Sequence, residues 1–552
     1  MGTARRSRQR LVQQGGDATV IAALRQFSRQ TPGFLLILLF VFLTLYPVAR
    51  FLLLPLFPSF GPAGGMSLAV SIPVDALVNS IGLGLASTLL ALPFGVAIAW
   101  LFERRLWSGN SVLMAVLWLI FVTPSYLMTT GWQIVFAQPQ FSRGALAHLF
   151  FSRAGVVFLL AIKGLPFAAL AARTSWRALG AEIGDAARLL IKDGWTRRRA
   201  VLQLLLPSAG AAFAVVFIES IQEFGIPATL GAQIHLPIIT YAIYERLATT
   251  PVDFGGAAAL SWLLVGLAAI AAWIHQFFSA RYSGALVHGR RRAVHLAPSS
   301  VFGSLSAWLG LAVLAMLGII VPGAAIVAAA ASPAGYLFPI PWDSLFYSSI
   351  YGVLAALAAV MVAVPMLVHG RSGRNWFASA MGAISLGNMA VPGLVLGAAY
   401  TIAFNSAWLP LYGTPLLLII AYVAMQVPML IRFLQAPIEH LHHNLSDAAR
   451  LHGLPWAMRV FDIDGPLLAP AFTWGWMMAF GQIFFELPIS ELLYPAGRAP
   501  VAVALVWLNQ NLHYTEEARL ALAGIGVTFV IATAVLATVS VVLRSDRIGA
   551  LA

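Results

Sequence analysis

The chain has no cysteine and only two lysines, Lys163 and Lys192, among its 552 residues. Without cysteine there is no disulfide framework, no thiolate metal site and no cysteine nucleophile. There is also no Gly-rich loop ending in Gly-Lys-Ser or Gly-Lys-Thr, so the sequence offers no such cradle for nucleotide phosphates. Charge is scarce too: Asp, Glu, Lys and Arg make up 10% of the residues, whereas 60% are hydrophobic. No soluble core can use that much apolar surface, which places the chain in the membrane class. The net charge of +13 would point to nucleic acid in a soluble protein. Here it is read by position along the chain, and no nucleic-acid partner is inferred.

What is present is a series of apolar runs. Crossing about 30 Å of hydrocarbon takes roughly twenty apolar residues, and twelve runs qualify: 34–57, 78–102, 111–136, 154–173, 207–230, 254–279, 303–331, 344–368, 377–404, 415–434, 467–491 and 520–543. Several prolines fall inside or at the ends of these runs, Pro124, Pro166, Pro227, Pro392, Pro428 and Pro488 among them. Membrane helices tolerate them where neighbours satisfy the freed carbonyls. Arg5, Arg6, Arg8 and Arg10 precede the first run, with no small-residue cleavage site after it. This reads as a cytoplasmic tail before an uncleaved span. With that tail inside, 26 of the 33 basic residues fall on the cytoplasmic side, six fall outside and Lys163 lies within a span. Such a bias sets the orientation, with both termini cytoplasmic.

A polar stretch near Ala280 to Ser300 divides the runs into six and six, and the halves echo one another. Asn79-Ser80-Ile81 stands against Ser348-Ser349-Ile350, Val122-Thr123-Pro124 against Ala390-Val391-Pro392, and Leu165-Pro166 against Val427-Pro428. An even number of spans per half inserts both halves the same way up, related about an axis along the membrane normal, with a path between them. Each half also holds a mildly polar island opening with Asp-Ala-Ala-Arg: Asp185 to Pro207 and Asp447 to Pro466. In both islands thirteen positions separate a glycine, Gly194 or Gly453, from the closing proline. The composition predicts a helix, a turn and a second helix, a helical elbow suited to docking.

At these residues the chain resembles the inner-membrane permeases of binding-protein-dependent ABC importers, whose cytoplasmic loop carries a Glu-Ala-Ala, Gly and Leu-Pro pattern that inserts into a groove of the ATPase. The second copy keeps the spacing, with Gly453 six residues after Asp447, but has Gly465-Pro466 in place of Leu-Pro. The first keeps Leu206-Pro207 but sets Gly194 nine residues after Asp185. The resemblance implies ATPase docking by Asp185, Ala186, Ala187, Gly194 and Trp195, and by Asp447, Ala448, Ala449, Gly453 and Leu454. Glu486-Leu487-Pro488, with Thr515 to Arg519 beyond it, and Glu223-Phe224-Gly225 followed by Leu230 and Gly231 look like the two-domain ferric-iron branch.

The fold this implies is an all-α polytopic membrane protein of about 12 transmembrane helices, arranged as two parallel six-helix type I ABC importer permease repeats. Its parts are a cytoplasmic tail (1–33), a first repeat (34–279, docking loop about 174–206), a cytoplasmic linker (280–302), a second repeat (303–543, docking loop about 435–466) and a C-terminal tail (544–552). The function implied is that of a permease subunit in the bacterial inner membrane, not itself an enzyme. It would carry two copies of an ABC ATPase that bind ATP and Mg, and work with a periplasmic or lipoprotein substrate-binding protein amid membrane lipid. The chain itself would bind no cofactor or metal. Ferric iron is the first substrate reading. Thiamine, polyamine or phosphonate is the alternative within the same role, and a major-facilitator-type secondary transporter or a scaffold without a path lies outside it. The segment Phe102 to Asn110 lacks the loop pattern a facilitator would show.

Lys163, Glu219, Glu223, Glu486 and Glu491 fall within or at the edge of spans, where a charge costs about 2.5–3.5 kcal/mol unless paired or hydrated. Two readings stay open: Glu219, Glu223, Glu486 and Lys163 line the translocation path or its gate, or Lys163 pairs with Glu219 or Glu223 as a structural tie between helices. His440, His442, His443 and His452 read as a solvated face beside the second island rather than a metal site. Trp474, Trp476, Met477 and Met478 read as packing.

Overall fold

A computed structural model describes residues 38–57, 73–178, 193–283, 300–333, 338–370, 391–406, 409–440 and 465–549, with residues 35, 189–191, 297–298, 448–449, 451–454, 458 and 462–463 in short pieces between them, a residue or two such as 192 excepted. Hydrocarbon offers backbone groups no water to bond, so apolar runs of this kind close their hydrogen bonds internally as helices. The first part of the chain gives α1 (Leu38–Leu52), α2 (Val74–Arg104), α3 (Asn110–Val122), α4 (Ser125–Ala137), α5 (Arg153–Ala178), α6 (Gly194–Gln222), α7 (Ile239–Ala248) and α8 (Phe254–Ser283). The second gives α9 (Val301–Ala330), α10 (Asp343–Gly370), α11 (Gly393–Ala403), α12 (Pro415–His440), α13 (Gly465–Phe484), α14 (Pro488–Leu493), α15 (Val501–Gln510) and α16 (Tyr514–Gly549). Two ladders of two residues per strand, one joining Arg105–Leu106 to Ala297–Pro298, leave the architecture all-helical.

Among the described residues seven helices are long and apolar enough to cross a membrane, and eight if α3 and α4 count as one bent span. This is a multi-pass membrane protein. The bend corrects the expectation of one straight span over 111–136: α3 and α4 meet at 95°. Pro124 lacks an amide hydrogen and forces the residue before it out of helical geometry, and Thr123 is extended, with ψ 125°. The runs 207–230 and 467–491 are likewise not continuous helices. Each breaks at a glutamate, after Gln222 and after Phe484. The helices α7 and α15 stand where the sequence suggested plain connections. The run 377–404 is described only from residue 391 onward.

Two large apolar cores hold the helices together, and both draw on the two parts of the chain: the larger joins α1, α6, α7 and α8 to α10 through α15, and the smaller takes in α9. Phe40 and Phe51 of α1 are buried in the same cluster as Tyr400 of α11 and Tyr422 of α12. The Phe42 ring meets Phe404 edge-on at 6.0 Å, and the Tyr400 hydroxyl donates to the Leu43 carbonyl. Reciprocally, Leu311 of α9 lies in the core of α2 to α5. Trp132 of α4 donates its indole N–H to the Leu317 carbonyl at 3.1 Å. Between apolar helices in lipid, close backbone approach supplies much of the attraction. Gly95 of α2 shows it: an added Cβ would come within 2.4 Å of the Ala168 Cβ on α5.

Candidate functional site

The two helix breaks share one design. A break leaves backbone amides without intrahelical partners, and inside a membrane each needs an acceptor. Glu223 closes α6, and its Oε1 accepts from the Ser125 hydroxyl at 2.6 Å and the Gly225 amide at 2.8 Å. Its carbonyl accepts from Thr240 at the start of α7, at 3.0 Å. Only glycine fits at 225, because a Cβ there would stand 2.4 Å from the Ser125 Oγ. At the second break, Glu486 accepts the Ile489 amide at 2.8 Å, the Ser490 amide at 2.9 Å and the Ser490 hydroxyl at 2.7 Å. It caps α14 with a carboxylate, the charge that suits a helix N-terminus. Tyr422 of α12 holds Ser490 in turn, at 2.6 Å.

The breaks meet around a cavity of about 270 Å³ lined by Ser125 and Tyr126 of α4, Glu219, Gln222 and Glu223 of α6, and Phe485 to Pro488 at the second break. The Tyr126 hydroxyl donates to the Phe485 carbonyl at 3.2 Å across this meeting point. The three carboxylates differ in what they do. Glu223 and Glu486 spend their oxygens on backbone and hydroxyl donors, whereas Glu219 is exposed and no hydrogen bond to it is found among the described residues. Three of the four sequence candidates for a path are therefore brought together.

Lys163 is the exception. It is absent from the cavity lining, and its ammonium donates to the carbonyls of Ile120 and Phe121 at 2.9 Å each and to that of Thr123. The expected ion pair with Glu219 or Glu223 is corrected to a cap: the bend at Pro124 frees these carbonyls, and one cation satisfies all three. Lys163 acts on the two glutamates only through space.

A second polar cluster, which the sequence reading missed, joins the first part of the chain to the last. Asn509 of α15 donates to Thr130 at 3.0 Å, Gln133 at 2.8 Å and Glu517 at 3.1 Å, and all four residues are buried. Gln510 donates to the Ala228 carbonyl at 2.9 Å, and Tyr244 of α7 donates to Glu491 at 2.9 Å. The available signal was polarity inside apolar runs: Thr130 and Gln133 interrupt the run at 111–136. Glu517 belongs to the stretch Thr515 to Arg519, which had been noted only as a family mark.

Of the predicted docking residues, Asp185, Ala186, Ala187 and Asp447 lie outside the described residues. Ala448 and Ala449 are helical, and the turn ends at Gly453, whose φ of +71° is the left-handed cap that favours glycine. The Leu454 amide bonds back to the Ala449 carbonyl at 3.1 Å. Gly194 does not match Gly453. It begins α6 directly after Asp193, whose carboxylate caps the helix by accepting the Thr196 amide at 2.6 Å. Large apolar side chains stand exposed on both islands: Leu189, Leu190 and Trp195 on the first, Leu451 on the second.

No family model matches the chain. It is 24% identical over 471 residues to a probable ABC transporter permease of Sinorhizobium fredii, covering 78% of this chain and 81% of that one. It is 25% identical over 497 residues to a putative ferric transport system permease of Haemophilus influenzae, covering 83% and 75%. A molybdenum transport system permease of Escherichia coli is 28% identical over 213 residues, and 93% of it fits within 37% of this chain. The relatives of this chain are thus ABC transporter permeases, ferric permeases among them, and a layout of two fused permease halves fits its 552 residues.

Proposed function

We propose that the chain is the membrane subunit of an ATP-driven importer for a cationic or chelated metal substrate, ferric iron first. In this reading two six-helix halves lie parallel in a bacterial inner membrane with both termini inside. The two Asp-Ala-Ala islands, with their exposed leucines and Trp195, each seat one copy of a separate ATPase that holds ATP and Mg. Closure of that ATPase draws the islands together and rocks the halves about the cavity. A periplasmic or lipoprotein binding protein delivers the substrate from the other side. In the present conformation the Asn509 cluster joins the halves toward the outer end of α4, and Glu219 stands open below it.

The observation that carries the reading is the cavity where the two carboxylate-capped breaks meet, with Glu219, Glu223 and Glu486 in its wall. A wall of this sign draws a cation and repels an oxyanion, which favours the ferric relatives over the molybdenum ones and, among cations, leaves thiamine and polyamines as the second reading. The test is uptake into proteoliposomes holding the chain, its ATPase and its binding protein. ATP-dependent uptake of ferric iron is expected. Uptake of an oxyanion in its place, or ATP hydrolysis indifferent to the loaded binding protein, overturns the reading.

A further inference from the structure

We propose that the cleft between α9 and the pair α2 and α5 is a binding site for one anionic phospholipid of the cytoplasmic leaflet. The cleft has a volume of about 810 Å³, and Phe94, Leu101, Ala307 and Gly310 are among the apolar residues of its wall. Its one charged group, Arg105, stands at one end with Ser300, and the other hydroxyl in the wall, that of Ser306, is turned back onto the Gly303 carbonyl of its own helix at 3.0 Å. Among the described residues none fills it: a Cβ added at Gly310 meets nothing within 4 Å, while Phe94 and Leu309 are exposed. From Leu90 to Arg105, both in its wall, α2 and its end rise roughly 22 Å at 1.5 Å per residue. Half a bilayer with its headgroups measures about 20–22 Å. The cleft therefore has the length and the polarity of one leaflet, with one apolar stem and one polar mouth.

The mouth is built for an anion. The Arg105 guanidinium lies over the Trp100 ring, 5.0 Å from its centroid. Ser300 caps α9 by accepting the Gly303 amide at 3.1 Å, so its hydroxyl proton is left to donate. The positive end of the α9 dipole points the same way. Basic pockets between spans on the cytoplasmic side suit anionic headgroups, because that leaflet is the anionic one. The acyl chain restores dispersion contacts that the lining lacks, and since α9 comes from one half and α2 and α5 from the other, the lipid braces the junction of the two. The inference rests on the proposed orientation, with Arg105 and Ser300 inside.

The full chain is placed in nanodiscs of phosphatidylcholine containing a minor fraction of phosphatidylglycerol, and the lipids it keeps on release are read by native mass spectrometry. One retained phosphatidylglycerol is expected. Arg105→Gln is expected to lower that retention roughly fivefold. Ala307→Trp or Gly310→Trp, which fill the cleft, are expected to abolish it, and Leu354→Trp on the exposed face of α10 leaves it unchanged. A photo-crosslinking residue at the exposed Leu309 is expected to capture lipid, which keeps the test open if a filling variant does not fold. Equal retention of the two lipids, retention that survives a filled cleft, or capture at Leu309 of a peptide from this chain overturns the proposal. The assay needs neither substrate nor ATPase, so its failure leaves the import reading intact. Labelling of a cysteine at Ser300 from the outer side sinks the orientation separately.

Discussion

Among the glutamates of the central cavity, hydrogen bonding separates structure from transport. Glu486 accepts three donors, so Glu486→Ala strands the amides of Ile489 and Ser490 in a buried place. A loss of about 2 kcal/mol or more is expected in unfolding measured in detergent. Glu219, which makes no hydrogen bond among the described residues, is free to face a substrate. Glu219→Gln is expected to leave the melting temperature unchanged and to cut cation uptake about tenfold, the equivalent of about 1.4 kcal/mol at the cavity. The opposite pattern, instability at 219 and lost uptake alone at 486, refutes this division. The Asn509 cluster gives a second case. The Thr130 hydroxyl lies 2.9 Å from the Tyr126 carbonyl and 2.6 Å from Glu517 Oε1, and its one proton serves only one of them. An amide at 517 supplies the missing donor and still accepts from Asn509, so Glu517→Gln is expected to cost less than the roughly 1 kcal/mol of a lost hydrogen bond. Thr130→Val removes the hydroxyl that donates to Tyr126 or Glu517 and accepts from Asn509, and is expected to cost about 0.6–1.7 kcal/mol, read from the same unfolding curves.

At the level of elements, the islands are where sequence and geometry agree in one copy and part in the other. Gly453 holds φ at +71°, a conformation that costs an L-residue about 1–2 kcal/mol. Gly453→Ala is therefore expected to loosen the second island and weaken ATPase co-purification, with the membrane helices melting as before. Leu451→Asp, at an exposed position, is expected to do the same without any backbone strain, and unchanged co-purification in both variants refutes docking there. Hydropathy located the helices but not their breaks, because a window average measures length and polarity and is blind to direction. The prolines were visible at 124 and 488, yet membrane helices accept proline. What made the bend at 124 sustainable was tertiary, Lys163 reaching three carbonyls some forty residues away, whereas the cap at the second break is local, Glu486 accepting donors three and four residues on. The echoed tripeptides were better guides, though the first was one residue out of register. Ser80 accepts the Ile239 amide at the start of α7 at 2.9 Å, and its counterpart accepting the Val501 amide at the start of α15 at 2.8 Å is Ser348, not the Ser349 that the echo set against it. Pro124 and Pro392 precede α4 and α11 with ψ of 135° and 142°.

For the whole molecule, the exchange of α1 and α9 between the cores decides how the chain must be assembled. In lipid, helices gain nothing from leaving water, so association rests on packing and hydrogen bonds. Those that fix α1 reach both parts of the chain: Arg50 donates to the Ala403 carbonyl at 3.2 Å, Tyr400 to that of Leu43, and Trp262 to that of Leu52 at 2.6 Å. Cutting the chain between 283 and 297 leaves each half with a groove where the partner's first helix belongs. Co-expressed fragments are expected to co-purify as one complex and to restore uptake, because the exchanged helices re-enter their grooves without the linker. Fragment 297–552 alone is expected to aggregate on size-exclusion chromatography, and a full-length chain without α1 to melt at a markedly lower temperature. A monodisperse, stable second half on its own is the result that breaks the argument. It would mean that the core around Tyr400 and Phe404 closes without Phe40, Phe42 and Phe51, and that α1 is not needed to complete it.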